Sequence, residues 1–364
     1  MITLEGGSAD EVWQAAVDEI AVNGLVQPSR DQTTRELLHV AFAISDPRQR
    51  VVFGRPFNPA LAVAETIWIL SGGNTVDFVR FWNPRMAQYL DDGSQCLHGA
   101  YGSRLGSTPR LGSGAERRLR LESLPRKGRL DQLRQAFEVL RDDPHSRQVV
   151  LQIWDADLDL PDPVPQSRDV PCNLMSHLLV RDGRLEWLQM MRSNDLFWGT
   201  PVNFIQFTSL QEIMAGWLGL ECGTYTHISS SLHVYQRHWD ELNEVAGRPN
   251  VVTPRNETSL QIRGYAAWEE VWGLVADLAV ALTERRDAVD VDLALARAQA
   301  LPVGYRQWIA LLAAESLRRA GALDAALDVV QESGVFWSTS WMSWFRRMHP
   351  AHDLDETAVL QKTA

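Results

Sequence analysis

The stretch 169-DVPCNLMSHLLVRDGRLEWLQMMRSNDLFWGTPVN-203 decides the fold. Apolar arms run from His177 and to Met191 on either side of Asp182-Gly183, a dipeptide suited to the left-handed backbone of a tight hairpin turn. A hairpin reverses the chain, so Arg192 and Ser193 at its far end return toward Cys172 at its head. A thiol attacks only as thiolate, and a nearby cation favours that form. Arg offers fixed donors to a phosphate and Ser a hydroxyl. Taken alone, a Cys at the head of a strand reads first as a small core residue.

Working outward, "RLDQLRQAFEVLRDDPHSR" is an amphipathic helix and "QVVLQIWD" a strand, with Arg147 at their junction, where it reaches out of the sheet end. Downstream, a Gly199-Thr200-Pro201 turn leads to Asn203, which opens the buried helix "FIQFTSLQEIMAGWLGL". An amide there suits the edge of a heterocycle, or simply caps the helix. "SSSLHVYQRH" puts His233 and Tyr235 two apart, on one face of a strand, as ligand groups or as satisfied core polar groups. Asn58 to Gly73 reads as a buried helix ended by Gly72-Gly73, and its exception is the carboxylate Glu65. Residues 9–23 form a helix behind a Ser8 cap, and "VQPSRDQTTRELLHVAFAI" is a polar turn followed by a strand.

Two stretches read as insertions. Ser103–Arg129 carries eight Lys or Arg without periodicity, and the acidic, Pro-rich Asp155–Asp169 is a loop. Beyond Val252 the texture turns to Ala/Leu-rich amphipathic helices and ends in "VFWSTSWMSWFRRM", whose Trp337, Trp341 and Trp344 read as packing. The expected division is a catalytic domain over 1–252 and a helical extension over 253–364. Hydrophobic content of 45% in 364 residues suits a folded protein. No apolar run is long enough to cross a bilayer, and the first residues lack the basic and apolar regions of a secretory leader. Three Cys cannot all pair, which fits a reducing cytoplasm. A formal charge of −11 argues against nucleic-acid binding, so the basic stretch reads as a solvated loop and an anionic ligand must meet a local Arg cluster.

The pieces "AETIWILSGGNT", "GAYGSRL", "DPHSRQVVLQIWD", "VPCN", "MRSNDLFWGTPVN" and "SLHVYQRH" together resemble the thymidylate synthase family, including its pyrimidine nucleotide hydroxymethylase branch. The family's Cys-to-Arg spacing of twenty and Asn-to-His spacing of thirty both recur, and the likeness covers roughly residues 12 to 250. It implies an α/β (α+β) fold, a mixed sheet flanked by helices, here with a helical C-terminal extension. It also implies an enzyme that transfers one-carbon units from 5,10-methylenetetrahydrofolate to C5 of a pyrimidine nucleoside monophosphate, without a metal. By resemblance Cys172 adds to C6 of the base, Glu65 shuttles protons, Tyr101 is a further catalytic residue, and Asn203 reads the base. Arg30, Arg192 and Ser193 bind the phosphate, joined by Arg147 across a homodimer interface. His233 and Tyr235 take the sugar hydroxyl, while Trp82, Asp195 and Gly199 hold the folate. Arg35 rivals Arg30 for its place.

Several positions depart from the synthase pattern. Asn173 stands where His usually follows the nucleophile, Gln148 replaces the second phosphate Arg, and Ser231 and Val202 replace an Asp and an aromatic. The tail that closes over a synthase's folate is not recognisable. These features favour water over hydride as the final nucleophile, hence 5-hydroxymethylation. Asn203 favours UMP or dUMP and leaves CMP and dCMP open. Reductive methylation of dUMP, and a non-catalytic nucleotide-binding homologue, are the alternatives.

Overall fold

The computed structural model describes the chain except residues 30–31, 107–117, 120–129, 161–166, 250–251, 285–287 and 353–364. Eight strands form one mixed sheet: β1 (Ile2–Gly6), β2 (Leu25–Ser29), β3 (Gln32–Ile44), β4 (Val150–Gln152), β5 (Asn173–Arg181), β6 (Arg184–Met191), β7 (Asn194–Asp195) and β8 (Glu221–Tyr235). The main order is β1-β3-β8-β6-β5-β4, with β2 on β3 and β7 on β8. β1 runs parallel to β3, and β6 and β7 run parallel to β8, while the other pairs are antiparallel.

The β5–β6 hairpin turns where the sequence placed it. Asp182 and Gly183 have φ of 49° and 72°, both left-handed, which matches the twist of the two arms. Its pairing starts four residues earlier than the apolar run suggested, at Asn173, and slips by one residue between Asn173 and Met175. Such a bulge re-aims the side chains at a strand's head, here beside Cys172. The helices Ala9–Asn23 and Gly199–Leu218 bury one face of the sheet, with Phe42 of β3 edge-on to Phe204 at 5.4 Å. Ser8 caps the first of these by accepting from the Glu11 amide.

The structure corrects several local expectations. "VQPS" is paired strand because its amides and carbonyls zip to β3. Asn203 lies in the second turn of its helix, which starts at Gly199. Ser103 and Arg104 belong to the buried short helix Tyr101–Leu105 and so are not insertion. Within the acidic loop, Ala156–Asp159 is a helical turn whose Asp159 is buried against Arg104 Nη2 and His98 Nε2, both at 2.8 Å.

The C-terminal segment supplies the helices Tyr265–Glu284, Ala288–Ala298, Val303–Ala320, Leu323–Val329 and Gly334–Met348. They share the core of the sheet domain: Trp217 packs on Trp268 at 4.7 Å, and Trp272 Nε1 donates to Ser71 Oγ at 3.2 Å. Trp337 and Trp341 are core residues, as their spacing suggested. No helix among the described residues is long and apolar enough to cross a membrane.

Candidate active site

Cys172 sits half-buried just ahead of the β5 bulge. Arg192 returns to it across the hairpin, but its first task is structural. Its Nε and Nη2 donate to the carbonyls of Pro171 and Val170, both at 3.0 Å, and its amide donates to the Cys172 carbonyl at 2.9 Å. The guanidinium therefore clamps the loop that presents the thiol, a role the sequence did not reveal. Ser193 follows it, partly exposed.

Tyr101 lies within electrostatic reach of both Cys172 and Glu65. Burial is the main cause that raises the Tyr101 phenol far above its usual value, and the charges of Cys172 and Glu65 add to it. Tyr101 lies against Phe207, ring centroids 6.2 Å apart. Glu65 projects from the apolar helix Pro59–Leu70, and burial pushes its carboxyl up to about 7, against a smaller opposing effect of one hydrogen bond. That bond comes from Gln206 Nε2, 2.7 Å from Glu65 Oε2. A carboxyl so placed changes protonation near neutral pH, which is what a proton shuttle requires.

Asn203 anchors a second polar chain. Its Nδ2 donates to Asn194 Oδ1 at 3.2 Å and lies 3.3 Å from Met191 Sδ. Asn194 Nδ2 in turn donates to His227 Nε2 and Ser229 Oγ, both at 3.1 Å. Burial lowers His227 to about 3, so the ring is neutral; with Nε2 accepting, its proton sits on Nδ1, 3.0 Å from the Tyr225 hydroxyl. Gly199 leaves room here: a Cβ would stand 3.0 Å from Asn194 Oδ1, a tight approach that would press on that amide. None of Asn194, Ser229, Tyr225, His227 or Gln206 was singled out from sequence. Gln206 could have been, because it lies one turn from Asn203 on the same helix face.

His233 and Tyr235 share the β8 face with ring centroids 5.0 Å apart. Burial is the largest influence on both, lowering His233 and raising Tyr235, and each feels Asp195; Tyr235 also feels Cys172. Asp195 Oδ1 accepts from the Phe197 and Trp198 amides at 2.8 and 3.1 Å, fixing the turn before Gly199. Arg55 grips the Phe197 carbonyl from beneath and is held by Glu241, which also takes Arg347 Nη1 from the last helix at 3.0 Å.

On the expected folate side, Trp198 is 39% exposed and flanked by Arg85. Trp82 is only 1% exposed, and its indole Nε1 has no hydrogen-bond partner among the described residues. Trp82 packs edge-on against Phe78 and Phe81, and the Trp68, Trp217, Trp268 and Trp344 indoles are orphaned likewise, so it is the exposed Trp198 face that fits a flat ligand such as a pterin.

Not every expected residue joins this cluster. Arg30 lies outside the described residues. Arg147 is exposed ahead of the edge strand β4, and its carbonyl lies 3.2 Å from His177 Nε2; no contact among the described residues ties its guanidinium to Cys172. Arg35 stacks on Trp239. Asn173 is fully buried, with Oδ1 accepting from Gln189 Nε2 at 2.9 Å. Ser231 donates to Glu36, and Gln148 is exposed.

A half-buried thiol, a carboxyl raised to about 7 and a buried, hydrogen-bonded amide are groups that could support covalent chemistry on a small ligand. The chain belongs to the thymidylate synthase family, whose model matches residues 11–276. It is 35% identical over 238 residues to a deoxyuridylate hydroxymethyltransferase of Bacillus phage SP01, covering 65% of this chain and 59% of that protein. A deoxyuridylate hydroxymethyltransferase of Pseudomonas phage M6 is 36% identical over 55% of this chain and 51% of its own length. One of Delftia phage PhiW-14 is 30% identical over 68% and 66% respectively. A Leuconostoc mesenteroides thymidylate synthase matches at 29% over 35% of this chain and 38% of its own. The match thus spans between about half and two thirds of the phage relatives it resembles.

Proposed function

We propose that this protein hydroxymethylates C5 of dUMP, with residues 1–252 as the catalytic unit and 253–364 as its helical extension. The observation that carries the reading is the Gln206–Glu65 hydrogen bond, one helical turn from the Asn203 network, with Tyr101 in electrostatic reach of both Glu65 and Cys172. The names of the phage relatives point the same way. When bound, methylenetetrahydrofolate supplies the one-carbon unit; Trp82, Asp195, Gly199 and the neighbouring Trp198 would hold it.

The chain's own residues do the rest. The Cys172 thiolate adds to C6 of the uracil, and the electron pair moves to C5 and its C4 carbonyl. Arg192 keeps the thiol's loop in place, and with Ser193 and Arg30 it meets the phosphate. Asn203 offers its amide to the N3–O4 edge, held by Asn194 so that a cytosine-type edge is met less well. His233 and Tyr235 orient the sugar. Glu65 takes and returns protons, and Tyr101 relays the one at C5. Water then adds to the exocyclic methylene left on C5.

A homodimer completes the reading. Met175, Leu179, Leu188, Met190 and Ile228 point to the face of the sheet opposite the core and are only half-buried. A second copy on that face would cover them, and the exposed Arg147 at the sheet edge would be free to reach the partner's phosphate site.

Mass spectrometry of the products from dUMP, UMP, dCMP and CMP with methylenetetrahydrofolate tests this. The expected product is dUMP plus CH2O. A product carrying CH2 alone would make the enzyme a synthase, and no product from any nucleotide would make it a binding homologue.

A further inference from the structure

We propose that Gln206 positions the water that completes the reaction, an inference that rests on the hydroxymethylase reading above. Helix Gly199–Leu218 presents Gln206 one turn beyond Asn203, 3% exposed, with Nε2 2.7 Å from Glu65 Oε2. Toward the ionised Glu65, which only accepts, the amide turns its nitrogen, and this leaves Oε1 on the other side. That Oε1 is buried and has no hydrogen-bond partner among the described residues. A buried carbonyl left without a donor is costly, and a water or ligand hydrogen brought to it relieves that cost.

Other buried glutamines show what is different here. Gln189 has both ends engaged, accepting from Ser176 and Trp187 and donating to Asn173. Gln211 also has an open Oε1, but its nitrogen is spent on the backbone carbonyls of Leu185 and Gly223, which tie the sheet. Gln206 alone among these couples an open acceptor to a carboxylate of the site.

A water that gives one hydrogen to Glu65 and the other to Gln206 Oε1 keeps a lone pair for carbon. Its oxygen bonds to the exocyclic methylene, and one proton passes to the Glu65 carboxylate. The carbon–carbon π pair moves through C5 onto the C4 carbonyl; its return restores the ring double bond and expels the Cys172 thiolate from C6. The second hydrogen stays on the product hydroxyl, still directed at Gln206. Gln206 is thus a positioning residue, acting through water and Glu65.

The near-isosteric Gln206→Met removes both the donor and the acceptor. Wild type and variant are given dUMP, methylenetetrahydrofolate and 2-mercaptoethanol, a thiol that competes with water for the methylene. The expected result is a fall of about tenfold in the ratio of hydroxymethyl to thioether product, with tritium release from C5 reduced less than about threefold. Gln206→Glu keeps an oxygen acceptor, and the two adjacent carboxyls share a proton, so it should recover most of the ratio. In protein without folate, the Glu65 carboxyl followed by infrared difference against Glu65→Gln should titrate higher in Gln206→Met than in wild type. A ratio unchanged in Gln206→Met, tritium release lost as fully as product, no recovery in Gln206→Glu, or an unshifted Glu65 would each overturn the proposal. A wild type that yields only the methyl product defeats the underlying reading, and does so before any variant is compared.

Discussion

Two helices lie side by side in this molecule, and each carries one carboxylate in an apolar run. Pro59–Leu70 holds Glu65, and Val303–Ala320 of the C-terminal extension holds Glu315. Their surroundings are opposite. Glu315 is fully buried and saturated: Asn58, Arg318 and Arg319 donate to it at 2.8–3.0 Å, and the Trp341 indole at 3.2 Å. Among the described residues Glu65 receives a single amide donor and no cation, and burial drives its carboxyl up to about 7. A buried carboxylate with its charge matched is a rivet; one left short of partners is kept ready to change protonation. The rivet also serves the site, because Asn58 caps the Glu65 helix and Arg319 donates to the Trp82 carbonyl.

That contrast is open to attack by mutation. The largest expected effect is Cys172→Ala, which should reduce tritium release from C5 by at least about 10⁴-fold while changing the melting temperature little. Glu65→Gln should cost about 10²–10³ in turnover, with nucleotide binding kept, as measured by calorimetry. Glu315→Ala should do the reverse: it strands Arg318 and Arg319 and lowers stability by about 3 kcal/mol in urea titration, with activity falling only as the fold loosens. If the two glutamates behaved alike, the contrast would be lost.

A finer test uses pH. The folded-state value for Glu65 lies above its ordinary 4.5, so its stabilising contribution is present below about 4.5 and is lost as pH rises through about 7. Glu65→Gln escapes that loss, so its stability relative to wild type should grow between pH 5 and 8, by roughly 1–2 kcal/mol. The smallest expected effect is at the sheet's outer face, where Met190→Asp should shift the chain toward monomer in sedimentation and weaken phosphate binding with Arg147.

Much of this was legible in the chain itself. The Asp182-Gly183 turn, the helix around Glu65 and the shared face of His233 and Tyr235 all rest on local rules, and all stand as read. What escaped depends on contacts between distant residues. Gln206 inside a buried helix looks like any core amide until Glu65, 141 positions away, is brought against it. Arg192 shows its second task, clamping the loop ahead of Cys172, only once the Val170 and Pro171 carbonyls are seen to occupy two of its nitrogens. The acidic run around Asp159 read only as a loop because its partners, His98 and Arg104, lie in the supposed basic insertion or just before it.

The central claim is that the Cys172 sulfur bonds to C6 of a uracil ring. A fluorine at C5 cannot depart as a cation, so 5-fluoro-dUMP with methylenetetrahydrofolate should arrest the reaction with the bond in place. Intact-protein and peptide mass spectrometry should then find one nucleotide per chain, attached through the peptide containing Cys172. Label on Cys96 or Cys222, or no covalent adduct at all, would contradict the account.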